Sequence, residues 1–462
     1  MSNDAVVIGL TESVCPVCLA RIPAERVQEG SDVYLRKDCP VHGSCKTVIW
    51  RGQPDFATWY RVNSRVVHPP KTLTPVEEGC PYDCGLCPDH RQQSCCVLLE
   101  VTQRCNLKCP ICFADAGRDA QADPDLGEIE AELGLLMETA GKCNLQLSGG
   151  EPAERDDLPE IVALARRMGF PFIQLNTNGL RLAKDAGYVT ALKEAGLSTV
   201  FLQFDGTRDE IYEAIRGRPL LEVKRRAIAN CAREGLPVVL VPTIVPGINA
   251  GNIGEIIGYA LEGLPVIRGV NFQPVSYFGR YPGEPEDRDR VTLPEIMQAI
   301  EDQTGGVMRA ADFAPTGSKH CLCSFHGDYL LQEDGTLTPL RQKQSNCCGP
   351  RGEEATIEQA RKYIASRWGL PGRDCGCGQD NPEQSPYASW DRLLERLRNY
   401  RLSITCVAFQ DAGNLDLERL QDCSLHFIAG GKIIPFCAYN LSSRDGRFLY
   451  REGQNTSKGE KL

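Results

Sequence analysis

The spacing of its cysteines constrains this chain more than any other feature of the sequence. There are 23 among 462 residues, most of them in close pairs and triples. The opening residues, MSNDAVVIGLTESVCPVC, have no basic leader and only a short apolar run, so no export signal is expected. A reducing cytosol disfavours structural disulfides, which leaves metal and cluster ligation as the economical use of so many thiols. The expectation is a cytoplasmic protein. Its net charge of -10 argues against a nucleic-acid partner. No apolar stretch approaches the ~20 residues of a membrane-crossing helix. Transient membrane contact stays open, because a neutral lipid tail needs an apolar pocket rather than a basic face.

Length and a 24% charged fraction suggest a soluble globular chain of about three domains. Four stretches separate by composition. Residues 1–65 hold two cysteine pairs on turn-like sequence, a metal-knuckle domain. Residues 66–98 begin Pro-rich and end in a cysteine-rich segment. Residues 99–305 alternate short apolar β-branched runs with longer amphipathic segments. Residues 306–462 resume the cysteine clusters between Gly- and Arg-rich loops. In the third stretch the expected strands are 96–101, 145–147, 172–176, 200–204, 238–243 and 269–273. A helix is expected from Leu126, whose large apolar residues recur on one face. Strands alternating with helices predict an α/β fold with a parallel sheet and right-handed crossovers. About six units are too few to close an eight-stranded barrel, so a partial (β/α)6 TIM-like barrel is expected, with ligands at the carboxyl ends of its strands.

Directly after the first of these strands stands Cys105-Asn-Leu-Lys-Cys109-Pro-Ile-Cys112-Phe113. Three thiolates on one short loop hold three irons of a [4Fe-4S] cubane and leave the fourth without a protein ligand. S-adenosylmethionine (SAM) can chelate such an iron through its amino and carboxylate groups. A zinc site would more often show paired CxxC spacings and four protein ligands. After the second strand stands Ser148-Gly149-Gly150-Glu151-Pro152, where two glycines permit close backbone approach and Glu151 offers a carboxylate. The CxxxCxxC loop with this turn resembles the radical SAM superfamily. The resemblance implies a SAM-binding [4Fe-4S] cluster on Cys105, Cys109 and Cys112, with Gly149, Gly150 and Glu151 at the SAM amino group. Asn176, Gln203 and Asp205 end the third and fourth strands and are candidates to touch SAM or substrate, against the alternative of ordinary turns. Thr243 is a candidate to lie against adenine, and Gln273 ends the sixth strand.

Outside that loop, Cys15, Cys18, Cys39 and Cys45 are expected to enclose one iron or zinc ion in a rubredoxin-like four-thiolate site, with His42 replacing one cysteine as the alternative. Cys80, Cys84 and Cys87 repeat the CxxxCxxC spacing without a following Gly-Gly-Glu turn and suggest an auxiliary [4Fe-4S] cluster. Cys321, Cys323, Cys347, Cys348, Cys375 and Cys377 form one C-terminal group. Cys406, Cys423 and Cys437 form another. Together they predict one or two auxiliary clusters, with some cysteines to spare. Cys143 and Cys231 are expected to be core residues, and His90, His320 and His326 to pack. The N-terminal knuckles, the GCPYDCGLCPDH segment and the late Phe-Gln-Asp-Ala-Gly and Ile-Pro-Phe-Cys437-Ala-Tyr-Asn440 segments are similar to those of archaeal tetraether-lipid synthases and radical SAM pterin methylases. That resemblance implies C–C bond formation at unactivated carbon, either lipid-chain coupling or methylation. It also implies a small-molecule or lipid substrate and an external one-electron donor such as flavodoxin or ferredoxin. A peptide maturase and a non-enzymatic iron–sulfur carrier are the alternatives; the carrier leaves the Gly-Gly-Glu-Pro turn unexplained.

Overall fold

The computed structural model describes residues 5–61, 66–117, 122–317, 319–340, 354–369 and 388–451. The first four strands, β1 (Val6–Val14), β2 (Arg21–Glu29), β3 (Asp32–Cys39) and β4 (Gly43–Trp50), form an antiparallel sheet in chain order. In β2 and β3 apolar side chains point inward at alternate positions, burying Ile22, Ala24, Val33 and Leu35. Gly30, at φ +62°, turns the chain between these two strands. This sheet therefore has a small core of its own in addition to its cysteines.

The sheet is fastened to the end of the chain by buried polar contacts. Arg26 donates to Asp416 at 2.8 and 3.0 Å and also reaches Glu418. Lys37, fully enclosed, donates to Ser13 at 2.9 Å and to the Ala412 carbonyl at 2.6 Å. Burial pulls the Lys37 ammonium down to about 8.

The remaining strands form one thirteen-stranded sheet: β5 (Cys96–Thr102), β6 (Asn144–Gly149), β7 (Ile173–Thr177), β8 (Thr199–Gln203), β9 (Val238–Val241), β10 (Thr243–Ile244), β11 (Ile267–Pro274), β12 (Ala314–Pro315), β13 (Ser324–Leu331), β14 (Leu337–Pro339), β15 (Arg401–Val407), β16 (Leu425–Ala429) and β17 (Lys432–Pro435). The six expected strands are present as the parallel run β5, β6, β7, β8, β9 and β11. Pro242 cannot donate to a ladder, and the expected strand 238–243 is divided there into β9 and β10. The sheet extends further than expected. β16 joins beside β5 and β15 beside β11, both parallel, and antiparallel β17 and β13 flank them. Residues well beyond 305 thus complete the barrel wall.

Alternation along the parallel strands sorts side chains between two surroundings. In β6, Leu145 and Leu147 are fully buried, whereas Gln146 and Ser148 face a central cavity. In β7, Ile173 and Leu175 are fully buried and Gln174 and Asn176 face the same cavity. The outer helices cover the apolar side. The expected helix runs Leu126–Ala140, started by a reciprocal cap between Asp125 and Glu128, and buries Ile129, Leu133 and Leu136. No helix among the described residues is long and apolar enough to cross a membrane.

Candidate active site

The loop carrying Cys105, Cys109 and Cys112 leaves the carboxyl end of β5, and all three residues line the cavity. Its shape is imposed by its neighbours. The backbones of Cys112 and Arg280 exchange two hydrogen bonds, at 2.9 and 3.0 Å. The Arg280 guanidinium donates to the Cys109 carbonyl at 2.8 Å and pairs with Asp115 at 3.1 Å. Burial, with Glu151 and the neighbouring thiols adding to it, pushes the Cys105 thiol up to about 12. An iron at the loop would remove that penalty, since a coordinated thiol is deprotonated outright. Three crowded thiols opening on a cavity therefore suit a cubane with one free iron.

Gly149 and Gly150 stand against this loop. A Cβ on Gly149 would lie 2.1 Å from the Thr102 carbonyl oxygen, and one on Gly150 2.2 Å from that of Arg104. The amides of Gly150 and Glu151 donate to the same two carbonyls, each at 2.8 Å. The glycines thus seat the β6 turn on the cysteine loop. Glu151 is buried, and its carboxylate accepts from the Ala153 amide (3.0 Å), the Thr177 hydroxyl (2.6 Å) and the Asn178 amide (2.6 Å). Burial raises its pKa against the pull of these donors. Glu151 therefore ties the end of β6 to the end of β7 and also borders the cavity.

Asp205 is fully buried and holds Arg216 through two contacts, at 2.7 and 2.8 Å. Arg216 also donates to the Thr243 hydroxyl at 3.1 Å and to the Ile111 carbonyl on the cysteine loop at 3.5 Å, and its charge acts on the Cys109 thiol. Gln203, with its amide oxygen turned toward Arg216, accepts from it at 3.1 to 3.2 Å. The sequence candidates Gln203, Asp205 and Thr243 thus converge on one guanidinium that reaches the cysteine loop. Burial disfavours the Arg216 charge, but Asp205 and Cys109 more than compensate and raise its pKa. Lys224, also fully buried, donates to the Asn178 carbonyl at 2.6 Å, and burial lowers it to about 8. Sequence reasoning overlooked both cations. The available signal was Asp205 itself, a carboxylate at a strand end that burial obliges to find a partner.

The cavity encloses about 580 Å³ inside the barrel. Carboxamides of Gln146, Gln174, Asn176, Gln203, Asn271 and Gln273 line its strand wall. From the helix Glu354–Trp368, Tyr363 and Trp368 also line it, and Trp368 meets Phe201 edge-on at 4.7 Å.

Of the other expected ligand sets, one converges tightly. Cys15, Cys18, Cys39 and His42 have their ligand atoms within 4.8 Å of one another, and it is the one such set among the described residues. The expected fourth thiolate, Cys45, is not part of it: that residue lies within β4, and its sulfur faces Thr47 at 3.9 Å. Cys39-x-x-His42 repeats the two-residue spacing of Cys15-x-x-Cys18, and the turn before β4 delivers His42 instead. The backbone amides of Val41 and His42 hold Cys39 down to about 6. Three cysteines and a histidine suit a structural zinc ion.

The Cys80 thiol interacts with those of Cys84 and Cys87, and all three are buried. The C-terminal grouping differs from the expected one. Cys323, Cys423 and Cys437 lie within electrostatic reach of one another, and the Arg419 guanidinium acts on Cys323 and Cys437. Cys321 is turned away: its sulfur exchanges hydrogen bonds with the backbone of Arg61 at 3.3 and 3.4 Å. Cys406 stands apart in β15, where burial alone raises its pKa and its residue borders the cavity. Cys347, Cys348, Cys375 and Cys377 lie outside the described residues. Cys143 and Cys231 are core residues. His90 and His426 are buried together, 3.1 Å apart between ring nitrogens. His320 packs by Tyr60, and His326 borders the cavity.

Residues 99–260 match the radical SAM superfamily, and residues 7–51 match the HMPTM N-terminal zinc ribbon domain. The chain is 36% identical to the 7,8-dihydro-6-hydroxymethylpterin dimethyltransferase of Methanocaldococcus jannaschii, over 94% of each protein. It is 35% identical to the Fe-coproporphyrin III synthase of Methanosarcina barkeri, over 44% of this chain and 49% of that one. Among solved structures, SuiB of Streptococcus suis bound to S-adenosylmethionine aligns with a TM-score of 0.39 at 15% identity, covering 47% of this chain and 48% of that one.

Proposed function

This chain belongs to the radical SAM superfamily and, within it, to the pterin dimethyltransferase group; on that premise we propose that it methylates a reduced pterin at carbon. Its family cofactors are a [4Fe-4S] cluster and SAM. Bound together, they supply a 5′-deoxyadenosyl radical by one-electron cleavage of the sulfonium. The chain's own residues set the conditions for that chemistry. Cys105, Cys109 and Cys112 would hold the cluster. Arg216, anchored on Asp205, steadies their loop through the Ile111 carbonyl, and Glu151 ties together the ends of β6 and β7 where SAM would bind. The barrel wall excludes water around the reacting carbon.

The observation that carries the substrate reading is the wall of carboxamides. Six amide side chains around one cavity suit a flat polar heterocycle. An alkyl chain would leave the amide atoms that still lack a partner, among them Gln174 Nε2 and Asn176 Oδ1, unpaired. The amide wall therefore favours a pterin over the lipid tails that the sequence resemblance left open. We place an auxiliary [4Fe-4S] cluster on Cys80, Cys84 and Cys87, and a second on Cys323, Cys423 and Cys437. An external ferredoxin or flavodoxin would feed them, and a methylene-folate type carrier would provide the one-carbon unit.

Anaerobic expression in a host that makes 7,8-dihydro-6-hydroxymethylpterin tests this reading without isolating the one-carbon carrier. Pterins heavier by one or two methyl groups are expected by mass spectrometry. An unchanged pterin pool, in cells whose recovered protein carries its iron, would contradict it.

A further inference from the structure

We propose that Gln174 and Asn176, oriented by Gln146, read the substrate, and that they do so through a ring lactam edge, a carbonyl next to an N–H. The proposal rests on the pterin reading above and names the atoms that would perform it.

Gln174 and Asn176 are two residues apart on β7, so both point to the cavity side. Gln146 is the direct neighbour of Gln174 across the β6–β7 ladder. Its amide is engaged at both ends. The Gln146 Nε2 donates to Gln174 Oε1 at 3.3 Å, and Gln146 Oε1 accepts from Asn176 Nδ2 at 3.5 Å. Those two bonds decide which way its neighbours present themselves. The Nε2 of Gln174 and the Oδ1 of Asn176 are left over, and both are buried with no hydrogen-bond partner. Gln174 has no exposed surface.

Buried carboxamide atoms without a partner are rare, and each calls for an explanation. Here the two form a matched set: one donor and one acceptor on neighbouring positions of a cavity wall. With both side chains turned a little further toward the cavity they line, a ring carbonyl would accept from Gln174 Nε2, and the adjacent ring N–H would donate to Asn176 Oδ1. On β11, Asn271 Oδ1 already accepts from the Thr405 hydroxyl at 2.9 Å. A site built around such a donor and acceptor penalises a ligand that lacks the matching groups, because its own polar atoms then stay unpaired.

The test is a binding cycle on the anaerobic protein with its clusters, using pterin fluorescence as the readout. One axis replaces Gln174→Leu; the other replaces the 4-oxo pterin by the same ring without the oxo group. The wild-type protein should prefer the oxo ring by about tenfold or more. In the variant that preference should fall to about twofold or less, at unchanged iron content. A structural role for Gln174 would weaken both ligands alike and leave the preference intact, which overturns the assignment while the pterin reading stands. Wild-type protein that binds neither ring overturns the pterin reading, and the assignment with it. Should Gln174→Leu lose iron, Asn176→Leu against a ring N-methylated beside the carbonyl gives the same cycle: a lost preference supports the assignment, and an intact one overturns it.

Discussion

The molecule holds thiols in two contrasting ways. In the N-terminal sheet, four ligand atoms from two knuckles lie within 4.8 Å of one another. On the loop after β5, three thiols share a wall with a cavity of about 580 Å³. The first arrangement saturates a tetrahedral ion and leaves no position for chemistry. The second offers only three ligands and opens on the cavity, so a cluster held there would keep one iron open toward that space. The supports differ in kind as well. The ligands of the zinc ribbon come from its own backbone turns, although the sheet as a whole is fastened to residues 412–418. The open loop is braced from outside by Arg280, Arg216 and the Gly149–Glu151 turn. A closed site can be local, whereas an open one needs the fold around it to supply the rigidity that a missing ligand would have given.

Removing the outside brace is expected to produce the largest effect. Arg216→Leu leaves Asp205 buried without its counter-ion, only the Thr243 amide still donating to it, which should destabilise the protein by about 3–5 kcal/mol. Denaturant unfolding of the anaerobic protein would measure it, and iron should be lost before zinc. A loss of zinc first would mean that the two sites do not differ in their supports. Replacing Glu151→Ala removes a charged acceptor of three hydrogen bonds and is expected to weaken SAM binding by roughly ten- to a hundredfold, the equivalent of about 1.5–3 kcal/mol. Calorimetry with SAM checks this, and unchanged affinity would confine Glu151 to bracing. Replacing Cys15 and Cys18 with Ser should release the zinc and expose residues 5–61 to protease, while SAM cleavage at the loop after β5 persists. The smallest expected effect separates the two versions of the closed site. His42→Ala should lower zinc affinity, whereas Cys45→Ser should leave zinc content unchanged by elemental analysis. The reverse result would restore the four-thiolate set.

The sequence made the open site easy to find and the closed one easy to misassign. Spacing along one loop is sufficient for Cys105, Cys109 and Cys112, because a short loop keeps its own residues together. The parallel strands were equally legible, since β-branched runs between amphipathic segments have few other uses. The fourth zinc ligand was harder, because Cys45 and His42 are both near enough in sequence. Only the turn into β4 decides between them. The N-terminal strands were legible in the alternation of Arg21–Glu29 but were overshadowed by the cysteines. Long-range pairings were out of reach. Nothing local announces that β15 and β16 extend the barrel wall, that Cys323 comes within electrostatic reach of Cys423 and Cys437, or that Arg216 joins Asp205 to the cysteine loop. The amide wall has a trace in Leu-Gln-Leu-Ser and Ile-Gln-Leu-Asn, polar residues alternating with apolar ones in strands buried on both sides. Alternation normally means a solvated face, and here it means a ligand cavity.

The central claim is that the open loop, and no other thiol set, performs SAM cleavage. Anaerobic protein given SAM and a strong reductant should release 5′-deoxyadenosine. Replacing Cys105, Cys109 and Cys112 together with Ala should abolish that release while the zinc of the N-terminal sheet is retained. Continued release of 5′-deoxyadenosine by the triple variant would contradict the account and move the catalytic cluster to Cys80, Cys84 and Cys87.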